Sequence, residues 1–218
     1  YGQILSDLGK LKEAELYLRK AIKLDPEYAI AHSNLGITLG NLGKLKEAEL
    51  CQRKAIKLNP DLAEAHSNLG NLLNDLGKLK DAELSTRKAI ELNPNLPEAY
   101  NHLANIMIEK NKYEEAEKQL KKVINLQPNN LYAYIKLGAL LQKNGLFKEA
   151  EMYTQKGIDM YPDNSILHFN LGSILSDLGK DLEAEQSVKK ANIADELKDF
   201  MDFKFKIINS NKNHVIAS

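Results

Sequence analysis

The chain has 218 residues with 30 Lys or Arg and 30 Asp or Glu, which gives a formal net charge of zero at pH 7. This balance excludes the cationic surplus on which nucleic-acid binding depends, and the longest apolar runs are too short to span a bilayer. The single cysteine, Cys51, excludes an internal disulfide framework and a multi-cysteine metal site. We therefore expect a cytoplasmic protein with no membrane span and no nucleic-acid partner.

The sequence repeats itself every 34 residues. Residues 31–60 and 65–94 are identical at 22 of 30 positions when they are aligned at this spacing. Prolines and alanines keep the same step, and a period sustained over this length indicates an array of structural repeats. The prolines are Pro26, Pro60, Pro94, Pro128 and Pro162, and the alanines are Ala14, Ala48, Ala82, Ala116, Ala150 and Ala184.

Each repeat is predicted to contain two helices. In residues 63–96 apolar residues recur at i, i+4, i+7, i+8 and i+11, which is the spacing of one helix face. They are Ala65, Leu69, Leu72, Leu73 and Leu76. Gly77 ends this first helix, because glycine adopts the left-handed conformation that closes a helix C-terminus. A second helix is predicted from about Leu79 to Leu92, and the Asn93-Pro94 step ends it.

Three further positions carry this pattern through the array. Residues equivalent to Gly77 are expected to end the other first helices: Gly9, Gly43, Gly145 and Gly179, with Asn111 in the fourth repeat. Small residues are expected to face the repeated alanine of the second helix and allow close packing: Gly36, Gly70, Ala104, Gly138 and Gly172. Acids and bases four residues apart are expected to pair on the outer face: Glu15/Arg19, Glu49/Arg53, Glu83/Arg87, Glu117/Lys121 and Glu185/Lys189.

These residues together resemble the tetratricopeptide repeat (TPR). The resemblance rests on Leu-Gly at the seventh and eighth positions of a unit, Ala at the twentieth, a small residue at the twenty-seventh and Pro at the thirty-second. The wording His-Ser-Asn-Leu-Gly is most similar to the TPR arms of O-linked sugar transferases and to bacterial TPR proteins. The resemblance implies an all-α fold, a right-handed superhelical solenoid of antiparallel helix pairs.

We expect the TPR array to occupy residues 1–198, followed by a capping helix and a frayed tail in 199–218. The repeats are 1–28 (partial), 29–62, 63–96, 97–130, 131–164 and 165–198. The cap is favoured by apolar residues at helical spacing, namely Leu197, Phe200, Met201, Phe205 and Ile208. The alternative is a strand through Phe203, Phe205 and Ile207 that leads into a further domain.

The sequence shows no catalytic constellation, so we expect no enzyme activity, no metal and no cofactor. His32, His66 and His168 share one repeat position beside the apolar stripe, and residues a full repeat apart cannot jointly bind one metal. We expect these histidines to pack. Cys51 has no histidine in register, so it is interpreted as a surface or packing thiol.

The resemblance implies that the first helices line a concave groove, whose candidate residues are Asn34, Asn68, Asn71, Asn74, Asn101, His102, Asn105, Lys136 and Asn170. Asparagine is unfavourable inside helices, so its recurrence on one line suggests use. An amide both donates and accepts hydrogen bonds, which suits the main chain of an extended peptide. The sugar-transferase arms imply the same role for such an asparagine row, here interrupted by His102 and Lys136. The alternative is that these amides are only polar filler.

A second TPR binding mode, the two-carboxylate clamp, is not predicted. Ser67 and Tyr132 stand where the clamp needs lysine, and only Lys136 offers a cation. The lip of the groove is mildly acidic, which favours a neutral to slightly basic peptide. Its acids are Glu64, Asp75, Glu98, Glu109 and Asp177.

The sequence therefore predicts a protein–protein interaction scaffold that binds an extended peptide or a partner helix in its concave groove. The alternative function is the substrate-recognition arm of a larger modifying enzyme such as a glycosyltransferase, of which this chain would be a piece. A third hypothesis is self-association, through stacked end faces or through a tail that lies in a neighbour's groove.

Overall fold

The computed structural model describes residues 9–192, and all regular secondary structure in that range is α-helical. The chain divides into two compact units after Pro128, and each unit is considered by itself. The helices of the first unit are α1 (Leu11–Leu24), α2 (Ala29–Asn41), α3 (Leu45–Leu58), α4 (Ala63–Asp75), α5 (Leu79–Leu92), α6 (Pro97–Glu109) and α7 (Tyr113–Leu126). Those of the second are α8 (Leu131–Lys143), α9 (Phe147–Met160), α10 (Ser165–Asp177) and α11, described over 181–192.

Consecutive helices pack as pairs joined by short turns, which makes the partners antiparallel. The pairs are α2/α3, α4/α5 and α6/α7 in the first unit and α8/α9 in the second. The first helices of neighbouring pairs also contact each other, α2 with α4 and α4 with α6, and α8 with α10. The predicted all-α fold of repeated helix pairs is thus confirmed. The predicted cap and tail in 199–218, and the opening residues 1–8, lie outside the described residues.

The turns inside the pairs have the predicted backbone conformation. Gly77 has a φ of 72°, and the N–H of Lys78 donates to the carbonyl of Leu73 over 2.8 Å, which closes the end of α4. The equivalent residues also have positive φ, from 58° at Asn111 to 75° at Gly43. The glycine position therefore fixes where each first helix of the described pairs ends.

The small residues of the first helices permit close packing, against the backbone of the repeated alanine and, closer still, against the side chain four residues after it. A Cβ on Gly70 would overlap the hydroxyl of Thr86 and lie 3.1 Å from the carbonyl oxygen of Ala82. Thr86 donates to that carbonyl over 2.8 Å, so its side chain folds back over the turn that carries the alanine. The nearest atoms are thus those of the residue four positions after the alanine. The same holds for Gly36 with Gln52, Gly138 with Thr154 and Gly172 with Val188.

The histidine or tyrosine side chain near the start of α2, α4, α6 and α10 bonds to the preceding turn. His66 Nε2 lies 3.0 Å from the carbonyl oxygen of Pro60, and the Tyr100 hydroxyl donates to that of Pro94 over 3.0 Å. His32 and His168 make the equivalent contact, at 2.9 and 2.7 Å. These bonds support the interpretation of the histidines as packing residues. Across residues 9–192 no cluster of His, Cys, Asp and Glu could hold a metal ion, and no helix is long and apolar enough to cross a bilayer.

The outer face of the second helices carries the five predicted ion pairs, at 2.7 to 2.8 Å. The structure adds a partner from the following repeat that the sequence spacing did not indicate. Glu49 binds Arg53 over 2.8 Å and Lys78 over 2.9 Å, and these bonds, led by the one from Lys78, lower the pKa of Glu49. Equivalent second partners are Lys44 for Glu15 and Lys110 for Glu83, and Lys180 binds Glu151, which has Gln155 four residues on. Neighbouring repeats are therefore joined by charge as well as by apolar packing.

Candidate functional site

The first helices of the first unit, α2, α4 and α6, lie side by side and share a surface with two cavities. The larger cavity has a volume of about 470 Å³. Asn34 of α2 and Asn68 of α4 both line it, so the structure brings these two predicted residues together. The smaller cavity, about 270 Å³, is lined by Asn68, Asn71 and His102 among others. Because Asn68 lines both, the cavities adjoin along α4.

The amides of Asn34, Asn68 and Asn71 are available to a ligand. All three residues are half-buried. Their positions are fixed because each lies on a helix that is packed in the core, where Leu35 and Leu69 are only 3 and 4% exposed. Within residues 9–192 none of the three side chains makes a hydrogen bond. A half-buried amide that lacks an internal partner presents both its donor and its acceptor to whatever occupies the cavity.

The neighbouring serines, by contrast, are engaged inside the protein. The Ser33 hydroxyl donates to Gln52 Oε1 over 3.0 Å, and Gln52 Nε2 donates to the Ser33 carbonyl over 2.9 Å. The Ser67 hydroxyl lies 2.9 Å from His102 Nδ1. Both serines are buried, at 4 and 1% exposure. These contacts hold the first helices in place, and they leave the asparagines as the adaptable polar groups of the surface.

Two titratable groups border the smaller cavity. Burial lowers the pKa of His102, against smaller opposing effects from Ser67 and from the charge of Glu98, so its ring is neutral at pH 7. Burial raises the pKa of Asp75. His102 therefore interrupts the asparagine row with a neutral ring that is already bonded to Ser67, rather than with a free cation.

The remaining predicted residues of the first unit lie outside these two cavities. The Oδ1 atoms of Asn74 and Asn101 are buried and have no hydrogen-bond partner in the described structure. A buried acceptor of this kind costs about 1–3 kcal/mol. Asn105 is half-buried on α6. The sequence treated all these amides as one line, whereas in the structure only Asn34, Asn68 and Asn71 line the two cavities.

The predicted residues of the second unit are differently placed. The Lys136 ammonium lies 5.3 Å from the ring centroid of Tyr132 on α8, and Asn170 is half-buried on α10. The amide of Gln142 donates to Ser173 Oγ over 2.8 Å and to Asp177 Oδ2 over 2.6 Å. Large apolar side chains are exposed on the first helices here: Tyr132, Ile166 and Phe169 are 40, 53 and 61% exposed.

Sequence reasoning placed Glu64 and Glu98 on an acidic lip but missed the apolar wall of the larger cavity beside them. Its wall contains Ile30, Ile37, Leu62 and Leu96, and its rim contains Glu64 and Glu98. The signal that could have found them is positional. Leu62 and Leu96 are one period apart, as are Ile30, Glu64 and Glu98, so each set lies at the same height on neighbouring pairs.

Helix pairs that repeat every 34 residues define a helical-repeat protein. Models of one family match along the chain. The model described as TPR repeat matches residues 2–43, 41–77 and 104–145, and models described as Tetratricopeptide repeat match 63–96, 86–118, 131–164 and 153–186. The first alone covers more than half of the sequence, so the chain belongs to the tetratricopeptide repeat family.

Solved structures with the same fold include three proteins. MamA is 26% identical with a TM-score of 0.69, over 75% of this chain and 96% of MamA. YrrB, described as a TPR protein with an unusual peptide-binding site, is 21% identical with a TM-score of 0.65, over 81% of this chain and 91% of YrrB. PilF of Pseudomonas aeruginosa is 19% identical with a TM-score of 0.77, over 94% of each chain. Curated proteins gave no match.

Proposed function

We propose that this protein is a protein-interaction module, rather than an enzyme, and that an extended peptide binds along α2, α4 and α6. The observation that carries the proposal is the set of free amides of Asn34, Asn68 and Asn71 beside two adjoining cavities. An extended peptide presents N–H and C=O groups that alternate along its main chain, and each amide can satisfy one of each. A row of amides therefore binds main chain with little dependence on sequence.

Two further features support this function. The groove surface of the first unit is acidic rather than basic, through Glu64, Asp75 and Glu98, which favours a neutral to slightly basic peptide. The YrrB structure, which shares the fold, is described as having a peptide-binding site. The same proposal includes a cytoplasmic location, where such a module would meet the flexible segments of other proteins.

The proposal is tested with a displayed library of random 12-residue peptides, selected on the wild-type chain. An enriched peptide is synthesised with a fluorescent label, and its Kd is measured by anisotropy for the variant Asn34→Ala/Asn68→Ala/Asn71→Ala. Each lost hydrogen bond is worth about 0.5–1.5 kcal/mol, so we expect the Kd to rise at least about tenfold.

The matched control is Asn95→Ala/Asn125→Ala/Asn144→Ala, which removes three exposed asparagines from outside the two cavities. Its Kd is expected to stay at the wild-type value. Circular dichroism at 222 nm should show the same helicity for all three proteins. Equal Kd values for the two triple variants would contradict binding through the amide row.

A further inference from the structure

The larger cavity combines an apolar wall with room for a side chain. Ile30 and Ile37 project from α2, and Leu62 and Leu96 precede α4 and α6. Ile30 is 47% exposed and the other three are half-buried, so apolar surface remains in contact with water. The volume of about 470 Å³ falls within the range of about 300–1,000 Å³ that is typical of ligand pockets. Burial of an apolar side chain here would remove that surface from water.

The rim of the same cavity carries two carboxylates without counter-ions. Glu64 and Glu98 are exposed, and neither forms an ion pair within residues 9–192. None of the residues that line the cavity is Lys or Arg. The outer-face glutamates differ in this respect, since Glu15 and Glu49 each bind two cations. The cavity is therefore a local acidic site in a chain of zero net charge.

The free amides place a bound main chain beside both the apolar wall and the carboxylates. Asn34 and Asn68 line the cavity that holds the apolar wall and the carboxylates, so a main chain bound to them passes both. Packed helices lie about 8–10 Å apart, and an extended chain advances about 3.3 Å per residue. The step from α2 to α4, or from α4 to α6, thus corresponds to about three peptide residues.

We propose, on the basis of the peptide-binding function above, that this cavity selects peptides with a large apolar residue and a Lys or Arg within about three positions of it. The apolar side chain lies against Ile30, Ile37 and Leu62. The cation pairs with Glu64 or Glu98 at the rim. The amides supply affinity for any main chain, and this pair of side chains supplies the choice of partner.

The test compares library selections on the wild type, on Glu64→Gln/Glu98→Gln and on the control Glu13→Gln/Glu114→Gln. The control removes the same charge from exposed glutamates elsewhere in the first unit. We expect wild type and control to enrich peptides with the apolar and basic pair. The rim variant should keep the apolar preference and lose the enrichment of Lys and Arg.

Binding constants for one enriched peptide give a second readout. The rim variant is expected to raise its Kd about two- to fivefold, as for the loss of an exposed ion pair, and to weaken the dependence of Kd on NaCl concentration. A variant Ile37→Ser should raise the Kd without changing that salt dependence. The control should match the wild type in both.

The outcomes separate the two proposals. The selectivity is overturned, and the peptide-binding function stands, if the enriched peptides need the three asparagines but show no basic preference. The same holds if the basic preference persists in Glu64→Gln/Glu98→Gln. Enrichment of acidic peptides overturns it as well. A selection that enriches no peptide, or peptides indifferent to the asparagines, overturns both.

Discussion

Close approach of paired helices makes glycine necessary at one position of a first helix, and two substitutions test this. Gly70→Ala places a methyl group against Thr86 and 3.1 Å from the carbonyl oxygen of Ala82. Gly40→Ala, near the end of α2, meets no atom within 4 Å. Both changes gain about 1 kcal/mol of helix propensity. Only the first also incurs the cost of overpacking, about 1–3 kcal/mol, because the β-branched threonine cannot turn away freely.

The net expectation is a loss of up to about 2 kcal/mol for Gly70→Ala and a gain of about 0.5–1 kcal/mol for Gly40→Ala. Urea unfolding followed by circular dichroism gives the midpoints, and a thermal scan should separate the two by several degrees. The double variant Gly70→Ala/Thr86→Ala removes the overlap and should recover most of the lost stability. An increase in midpoint for Gly70→Ala equal to that for Gly40→Ala would refute close packing as the reason for the glycine.

Three other outcomes follow from the described contacts. Glu49→Gln should lower the free energy of unfolding by up to about 1 kcal/mol at pH 7, since the ion pairs of Glu49 with Arg53 and Lys78 are partly exposed. Because folding lowers the pKa of Glu49, this contribution is present above the unfolded-state pKa and is lost as the pH falls through the folded-state pKa. The difference in urea midpoint between wild type and variant should therefore vanish in acid. A difference that stays constant with pH would contradict this prediction. His66→Tyr should retain the bond to Pro60 and cost less stability than His66→Ala, as judged by thermal midpoints, and equal losses would argue against that bond. Burial raises the pKa of Cys51, so its alkylation by iodoacetamide at pH 7 should be slower than that of free cysteine, and a rate as fast would contradict this.

The fold could be predicted because its determinants recur at every period. The repeated alanines are buried without exception, from 0% exposure at Ala14 to 7% at Ala184, since each fills the same contact in its own pair. The turn glycines likewise need one backbone conformation wherever a pair reverses direction. A determinant that is local and repeated six times can be read from spacing alone.

The candidate site could be predicted only in part, because it depends on contacts between repeats. Periodicity placed Asn34 and Asn68 on one surface, and the structure has both beside one cavity. It could not show that His102 bonds to Ser67, 35 residues earlier, or that Oδ1 of Asn101 is buried. Those properties depend on how far the first helices separate, which no single repeat encodes.

Departures from the repeat are therefore where selectivity is expected to lie. The repeated alanine is the same in every copy, whereas the second position holds Ile30, Glu64, Glu98, Tyr132 and Ile166 in turn. Variation by itself is uninformative, because exposed positions without a role also vary. At this position it occurs on the wall and rim of a cavity, where three successive copies supply one apolar and two acidic groups. Units that share their fold can thus form a surface that prefers one peptide direction and sequence, provided that the units differ at the positions that a ligand contacts.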